Sequence, residues 1–135
     1  KMTRLLIALI ALLTINTVAF GHSKMSGSTP EDGATVEVGL AAVSLTFDRK
    51  VRLTRVMLAA APAEMTLAAV MSDVEALENQ AEIGVLSELP KGFVEETEID
   101  FDPLIPGVYK LHWIAVAQDG HTMEGKVHFA VESAD

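Results

Sequence analysis

Apolar and polar residues alternate along much of this chain in short runs, which is the pattern of half-buried β-strands. The alternation is clearest in residues 108–117, where Tyr109, Leu111 and Trp113 fall on one face. Turn residues separate the runs, as in residues 29–33, where Pro presets φ and Gly tolerates a positive φ. Strands are therefore predicted at residues 43–47, 51–58, 81–86, 93–101, 108–117 and 125–131.

Residues 65–79 do not follow this alternation. Leu67, Val70 and Met71 recur at helical spacing, so the segment is predicted to be either a short helix or a further strand. About seven short strands in a chain of this length are typical of an all-β fold, a seven-stranded immunoglobulin-like β-sandwich with Greek-key connections. The sequence contains no internal repeat and no low-complexity linker, so one domain is expected.

Residues 1–21 are expected to lie outside this domain. A short basic start precedes nine consecutive apolar residues, and Ala19 and Gly21 are the small residues at positions −3 and −1 of a cut before His22. This order is typical of a secretory signal peptide. A retained membrane anchor is the alternative, but nine apolar residues fall short of the roughly 20 that span a bilayer. The sequence therefore predicts an exported domain at residues 22–135.

Charge and composition limit the possible functions. The predicted signal peptide carries two cations and no acid, so its removal changes the formal net charge from −9 to −11. A chain this acidic is not expected to bind nucleic acid by neutralising phosphates, although it can attract cations. Without cysteine, any metal would be held by nitrogen, oxygen or thioether donors. No phosphate-binding glycine loop or supported carboxylate pair is present, and no catalytic residue is predicted.

His22 would be the first residue of the processed chain. Its α-amine and Nδ1 could then close a six-membered chelate ring on one metal ion. The amine loses its proton readily, because its ordinary pKa is about 7.7–8.0. Nitrogen donors in a planar arrangement suit Cu(II). The alternative is that His22 is an ordinary terminal residue that binds no metal.

A second candidate is the triplet Asp119, Gly120 and His121. A carboxylate and an imidazole two residues apart project to the same side of an extended chain, and the glycine lets the backbone bend around an ion. Asp-Gly is also a common hairpin turn signal, so a solvated turn without metal is the alternative.

Together these segments resemble the CopC family of copper resistance proteins. At the opening end, the matching positions are His22, residues 28–34 and residues 43–47. At the closing end, they are residues 106–109, Trp113, residues 119–121, Gly125 and Phe129. The likeness is weak between about residues 58 and 100.

The resemblance implies a periplasmic protein that binds Cu(II) through the amine and imidazole of His22 together with Asp119 and His121. It also implies exchange of copper with a partner such as an inner-membrane copper transporter or a copper enzyme. Some family members bind Cu(I) at a methionine-rich loop. The methionines here are scattered, which predicts weak Cu(I) binding; they are Met25, Met57, Met65, Met71 and Met123.

Two other functions stay open at this point. Oxidative copper enzymes of the polysaccharide monooxygenase type also use an N-terminal His chelate, but Asp119 in the plane would block the open position that their chemistry needs. A purely structural β-sandwich would be unaffected by loss of the three ligands.

His112 and His128 are not explained by the resemblance. If the hairpin loop is residues 118–122, these two histidines lie directly opposite each other on the outer face. Solvated imidazoles are the simpler interpretation, and a weak secondary Cu(II) or Zn(II) site is the sharper hypothesis.

Overall fold

The computed structural model describes residues 25–72, 80 and 82–133. Their elements in chain order are β1 Met25–Thr29, β2 Ala34–Glu37, β3 Ala42–Ala60, helix α1 Leu67–Ser72, β4 Glu82–Ile83, β5 Val94–Asp100, β6 Gly107–Ala117 and β7 Thr122–Glu132. Within these ranges, no helix is long and apolar enough to cross a lipid bilayer.

Strand β3 joins the two layers of a β-sandwich. Its first half pairs antiparallel with β1 and β5, and its second half pairs antiparallel with β4 and β6. Strand β6 continues to β7, which pairs in parallel with β2. The all-β sandwich predicted from the sequence is confirmed.

The prediction of separate strands at residues 43–47 and 51–58 was wrong, because β3 is continuous over 19 residues. The apolar alternation stops at Asp48, Arg49 and Lys50, which are all exposed where the strand passes from one layer to the other. The pairing with β5 is irregular across this same stretch.

The core lies between the two layers and is built from the inward residues that the alternation indicated. Phe47 of one layer meets Trp113 of the other edge to face, with ring centroids 5.1 Å apart. Within the second layer, Tyr109 stacks on Phe129 at 5.7 Å. Gly125 lies opposite Trp113 in the β6–β7 register. A Cβ atom at Gly125 would come within 2.5 Å of the indole, so this position requires glycine.

The ambiguous segment forms helix α1 over its first part, whereas residues 73–79 lie outside the described residues. The Thr66 hydroxyl accepts a hydrogen bond from the Ala69 N–H at 3.2 Å, which caps the helix N-terminus. The helix places Val70, which is fully buried, against Ala59 of β3.

The β6–β7 hairpin is tighter than the sequence predicted. The Ala117 N–H donates to the His121 carbonyl at 2.9 Å, so the loop contains three residues, ending in Gly120 with φ of +90°. The register is therefore shifted by two residues. His112 pairs with Lys126, and His128 pairs with Lys110.

The predicted direct opposition of His112 and His128 was therefore wrong. Each imidazole instead contacts a carboxylate. His112 Nε2 lies 2.8 Å from Glu124 Oε2, and His128 Nδ1 lies 2.8 Å from Asp32 Oδ1.

Candidate metal centre

Asp119 and His121 lie together at the tip of the β6–β7 hairpin. The His121 backbone N–H donates to Asp119 Oδ1 at 3.0 Å, and His121 Nδ1 lies 2.9 Å from Asp119 Oδ2. The positive φ of Gly120 turns the chain between them. Both side chains are exposed, the imidazole by 75% and the carboxylate by 64%. The tip thus presents one nitrogen and one oxygen donor to solvent.

The contact between the two side chains fixes which imidazole nitrogen can bind a metal. An ionised carboxylate only accepts hydrogen bonds, so Nδ1 of His121 carries the proton that bridges to Asp119. Nε2 then keeps the lone pair that a metal ion needs. A carboxylate that holds a ligating imidazole in this way is a common feature of metal sites.

The same contacts keep Asp119 ionised. The backbone N–H of His121 is the main cause that lowers the pKa of the Asp119 carboxyl below its usual value, and the imidazole hydrogen bond and charge act in the same direction. The carboxylate is therefore available as an anionic donor at neutral pH.

The start of β1 lies at the same end of the sandwich as this tip. Met25 pairs with Phe47 in the β1–β3 ladder. Four residues further along β3, Val51 pairs with Ala117, which immediately precedes the hairpin loop. Met25 and Met123 both pack against the core from partly buried positions. Strand β1 therefore begins at the end of the sandwich that carries Asp119 and His121.

The third predicted ligand, His22, lies outside the described residues, as do the predicted signal peptide and its cleavage position. Among the residues that the structure describes, no three His, Cys, Asp or Glu side chains are grouped so that they could hold a metal ion. Asp119 and His121 thus offer one oxygen and one nitrogen donor, and a metal ion held there would need further ligands.

One polar contact in this hairpin was missed by sequence reasoning. Glu124 lies two residues beyond the start of β7, and its carboxylate reaches diagonally across the hairpin to His112. No local motif joins these two residues, which are 12 positions apart, so only the correct hairpin register could have revealed the pair.

The comparisons with known proteins agree with the fold. The CopC domain family model matches residues 25–132. Over 127 residues the chain is 28% identical to copper resistance protein C of Xanthomonas campestris pv. juglandis, covering 93% of this chain and 92% of that protein. A match that spans most of the chain defines the class: this β-sandwich belongs to the CopC domain family.

Two solved structures share the fold. PcoC, a methionine-rich copper resistance protein from Escherichia coli, aligns with a TM-score of 0.59 at 20% identity, over 83% of this chain and 100% of that one. CopC from Methylosinus trichosporium OB3b aligns with a TM-score of 0.57 at 20% identity, over 84% and 97% of the two chains. At this level of identity, the two structures support the architecture alone.

Proposed function

We propose that this chain is an exported copper-binding protein that holds Cu(II) as cargo at the hairpin end of the sandwich. The ligands are the α-amine and imidazole of His22, the imidazole of His121 and the carboxylate of Asp119. The observation that carries the proposal is the contact between Asp119 and His121, which orients an ionised carboxylate and a free imidazole nitrogen at an exposed tip. Membership of the CopC domain family supports copper as the metal.

The distance along the chain supports a contribution from His22. Three residue steps separate His22 from Met25, and an extended chain covers at most about 3.3–3.6 Å per residue. His22 can therefore reach about 10 Å beyond the first described residue of β1, which lies at the hairpin end of the sandwich.

The proposed ligand set favours binding and release over catalysis. Two nitrogens from His22, one from His121 and one oxygen from Asp119 fill the four equatorial positions that Cu(II) prefers. An oxidative copper enzyme needs one of those positions for its oxidant, and Asp119 occupies it. The protein would sequester copper in the periplasm or exchange it with an inner-membrane copper transporter or a copper enzyme.

The decisive experiment combines the intact mass of the exported protein with a Cu(II) titration followed by electron paramagnetic resonance. The expected mass begins at His22, and the expected spectrum is that of one tetragonal, nitrogen-rich Cu(II). A glycine inserted before His22 removes the amine from its chelate, and we expect Cu(II) binding to weaken about 100-fold because two linked donors become one. Ser23→Ala, which leaves His22 first, is the matched control. Equal affinity in the glycine-extended chain would contradict the N-terminal chelate.

A further inference from the structure

The end of the sandwich opposite the hairpin tip, which we call the base, consists of four segments that lie side by side. They are residues 37–41, 85–88, 100–106 and 131–133. Four backbone hydrogen bonds of 2.7–2.9 Å join them, from the N–H groups of Val38, Leu104, Phe101 and Leu86 to the carbonyls of Glu132, Leu40, Ala41 and Asp100, respectively. The base is therefore one continuous surface built on paired backbone.

This surface exposes three large aliphatic side chains. Val38, Leu86 and Ile105 are 48%, 64% and 73% exposed, respectively. In the part of the chain that the structure describes, only Met71 and Phe93 are further large hydrophobic residues with exposed side chains. Exposed apolar residues that are grouped, rather than scattered singly, mark a surface that binds another molecule.

Ile105, the most exposed of the three, lies in a loop that is fixed on both sides. The preceding Leu104 is buried in the core. The Ile105 carbonyl accepts a hydrogen bond from the buried Tyr109 hydroxyl at 2.6 Å. Pro103 and Pro106 restrict the backbone at the two flanking positions. A contact made by Ile105 therefore costs little additional ordering of the loop.

The four segments of the base contain acidic residues but no Lys or Arg. Glu37, Asp102 and Glu132 are exposed beside the aliphatic side chains. An apolar centre with an anionic border is complementary to a partner whose apolar surface is bordered by cations. A second copy of this base would bring like charges together, and a membrane rich in anionic lipid would repel the same acids.

From these observations we infer that the base is a docking surface for a partner protein with an apolar recess bordered by Lys and Arg. Ile105 enters the recess, and the acids of the base face the cations around it. Ten residue steps of β7 separate Thr122 from Glu132, or about 33 Å, so a partner at the base leaves the hairpin tip exposed. The inference does not depend on metal binding at the tip.

The test uses the exported, metal-free chain and a short peptide of alternating Leu and Lys, blocked at both ends, as a probe for an apolar and cationic surface. During the titration we expect the backbone amide resonances of the base to shift and those of the hairpin tip to stay unchanged. Ile105→Ser should weaken peptide binding at least about tenfold, because it truncates the central apolar contact. Met71→Ser, which removes an exposed hydrophobic side chain from α1, is the matched control and should bind the peptide as tightly as the parent.

The anionic border is tested separately. Glu37→Gln combined with Asp102→Asn should weaken binding of the peptide about threefold, because two attractive charges at the edge of the contact are lost. Glu95→Gln combined with Glu96→Gln changes the net charge equally on β5, outside the base, and should leave the affinity unchanged. A peptide with Ser in place of each Lys should bind the parent more weakly than the Lys peptide does.

Amide shifts confined to another face, no binding of the Lys peptide, or equal affinity of Ile105→Ser and the parent would overturn the inference. A dimer of the parent that Ile105→Ser dissociates, measured by analytical ultracentrifugation, would instead assign the base to a second copy. Binding to phosphatidylglycerol vesicles that is lost in Ile105→Ser would assign it to a membrane, and either result would overturn the inference of a cationic protein partner. The amide spectra of the variants check that each remains folded.

Discussion

The β6–β7 hairpin carries an imidazole–carboxylate pair at its tip and a similar pair in its body, and the two are built differently. At the tip, Asp119 and His121 are two residues apart and also share a backbone hydrogen bond. In the body, His112 and Glu124 are 12 residues apart and meet only because the strands pair in one register. The Asp119–His121 pair can therefore exchange its contact for another one without disturbing the sheet. The His112–Glu124 pair lies on paired strands, so its position depends on the packing of the core beneath them.

The largest effect is expected from a single methyl group in the body of the hairpin. Gly125→Ala places a Cβ within 2.5 Å of the Trp113 indole, so this buried ring must shift to accommodate it. We expect a loss of about 3 kcal/mol in the free energy of unfolding, measured by urea denaturation of the metal-free chain. Gly27→Ala is the control, because nothing lies within 4 Å of its added methyl. Equal stability of the two variants would show that the indole adapts.

The next largest effect concerns the tip. His121→Ala should weaken Cu(II) binding about 100-fold, or about 2.7 kcal/mol, because one equatorial nitrogen is lost. The free energy of unfolding of the metal-free chain should stay nearly unchanged, since the imidazole is 75% exposed. Copper titration and urea denaturation measure the two quantities. A large loss of metal-free stability would assign the triplet a structural role instead.

Removal of the tip carboxylate should have a smaller effect. Asp119→Ala is expected to weaken Cu(II) binding about tenfold, because the anionic donor and the hydrogen bonds that orient His121 are both lost. Asp119→Asn keeps an acceptor for the His121 N–H but lacks the charge, so its affinity should fall between those of the Ala variant and the parent. An Asn variant as weak as Ala would mean that charge alone matters.

Proton competition distinguishes the ligands from one another. Because the pKa of Asp119 is lowered, its carboxylate stays ionised as the pH falls from neutral to mildly acidic values. Cu(II) affinity should nevertheless decline as the pH falls, because protons compete with the metal for the nitrogen donors. The stabilisation that Asp119 gives the metal-free fold is present above its unfolded pKa, and it is lost only as the pH falls through the lower folded pKa. A Cu(II) affinity that does not change between neutral and mildly acidic pH would contradict nitrogen ligation.

The smallest effect is expected at the carboxylate in the hairpin body. Glu124→Gln removes one ionic contact to His112 from a side chain that is 65% exposed, so the free energy of unfolding should change by less than about 0.5 kcal/mol. The ring nitrogen resonances of His112, followed by nuclear magnetic resonance, should move relative to the parent because the contact to Nε2 changes. Unchanged ring resonances would mean that the contact does not persist in solution.

The sequence alone predicted those elements of the fold that depend on residues close together in the chain. Strand β6 alternates over most of its length, so its inward residues Tyr109, Leu111 and Trp113 were predicted from the sequence, and all three are buried. Strands β1 and β2 were missed, because Met-Ser-Gly-Ser-Thr and Ala-Thr-Val-Glu are short and carry little apolar alternation. The continuity of β3 was missed because three exposed charged residues interrupt its middle.

The same distinction between local and long-range contacts applies to the candidate site and to the two histidines outside it. Asp119 and His121 were identified because the residues that form their contact are neighbours in the sequence. The partners of His112 and His128 were not identified, because they depend on a loop length that differs by two residues from the predicted one.

The parallel pairing of β2 with β7 joins two strands that are far apart in the sequence, which affects the order in which the fold forms. The Asp32 carboxylate accepts from the His128 N–H at 2.8 Å, across a separation of 96 residues, and the Gly33 N–H donates to the His128 carbonyl at 2.6 Å. Among the described strands β2 pairs with β7 alone, so this pairing must wait until β7 has been synthesised. Such long-range pairing slows folding, because a large loop must close before the contact forms. If the chain is exported as proposed, the pairing of β2 must wait until β7 has also crossed the membrane.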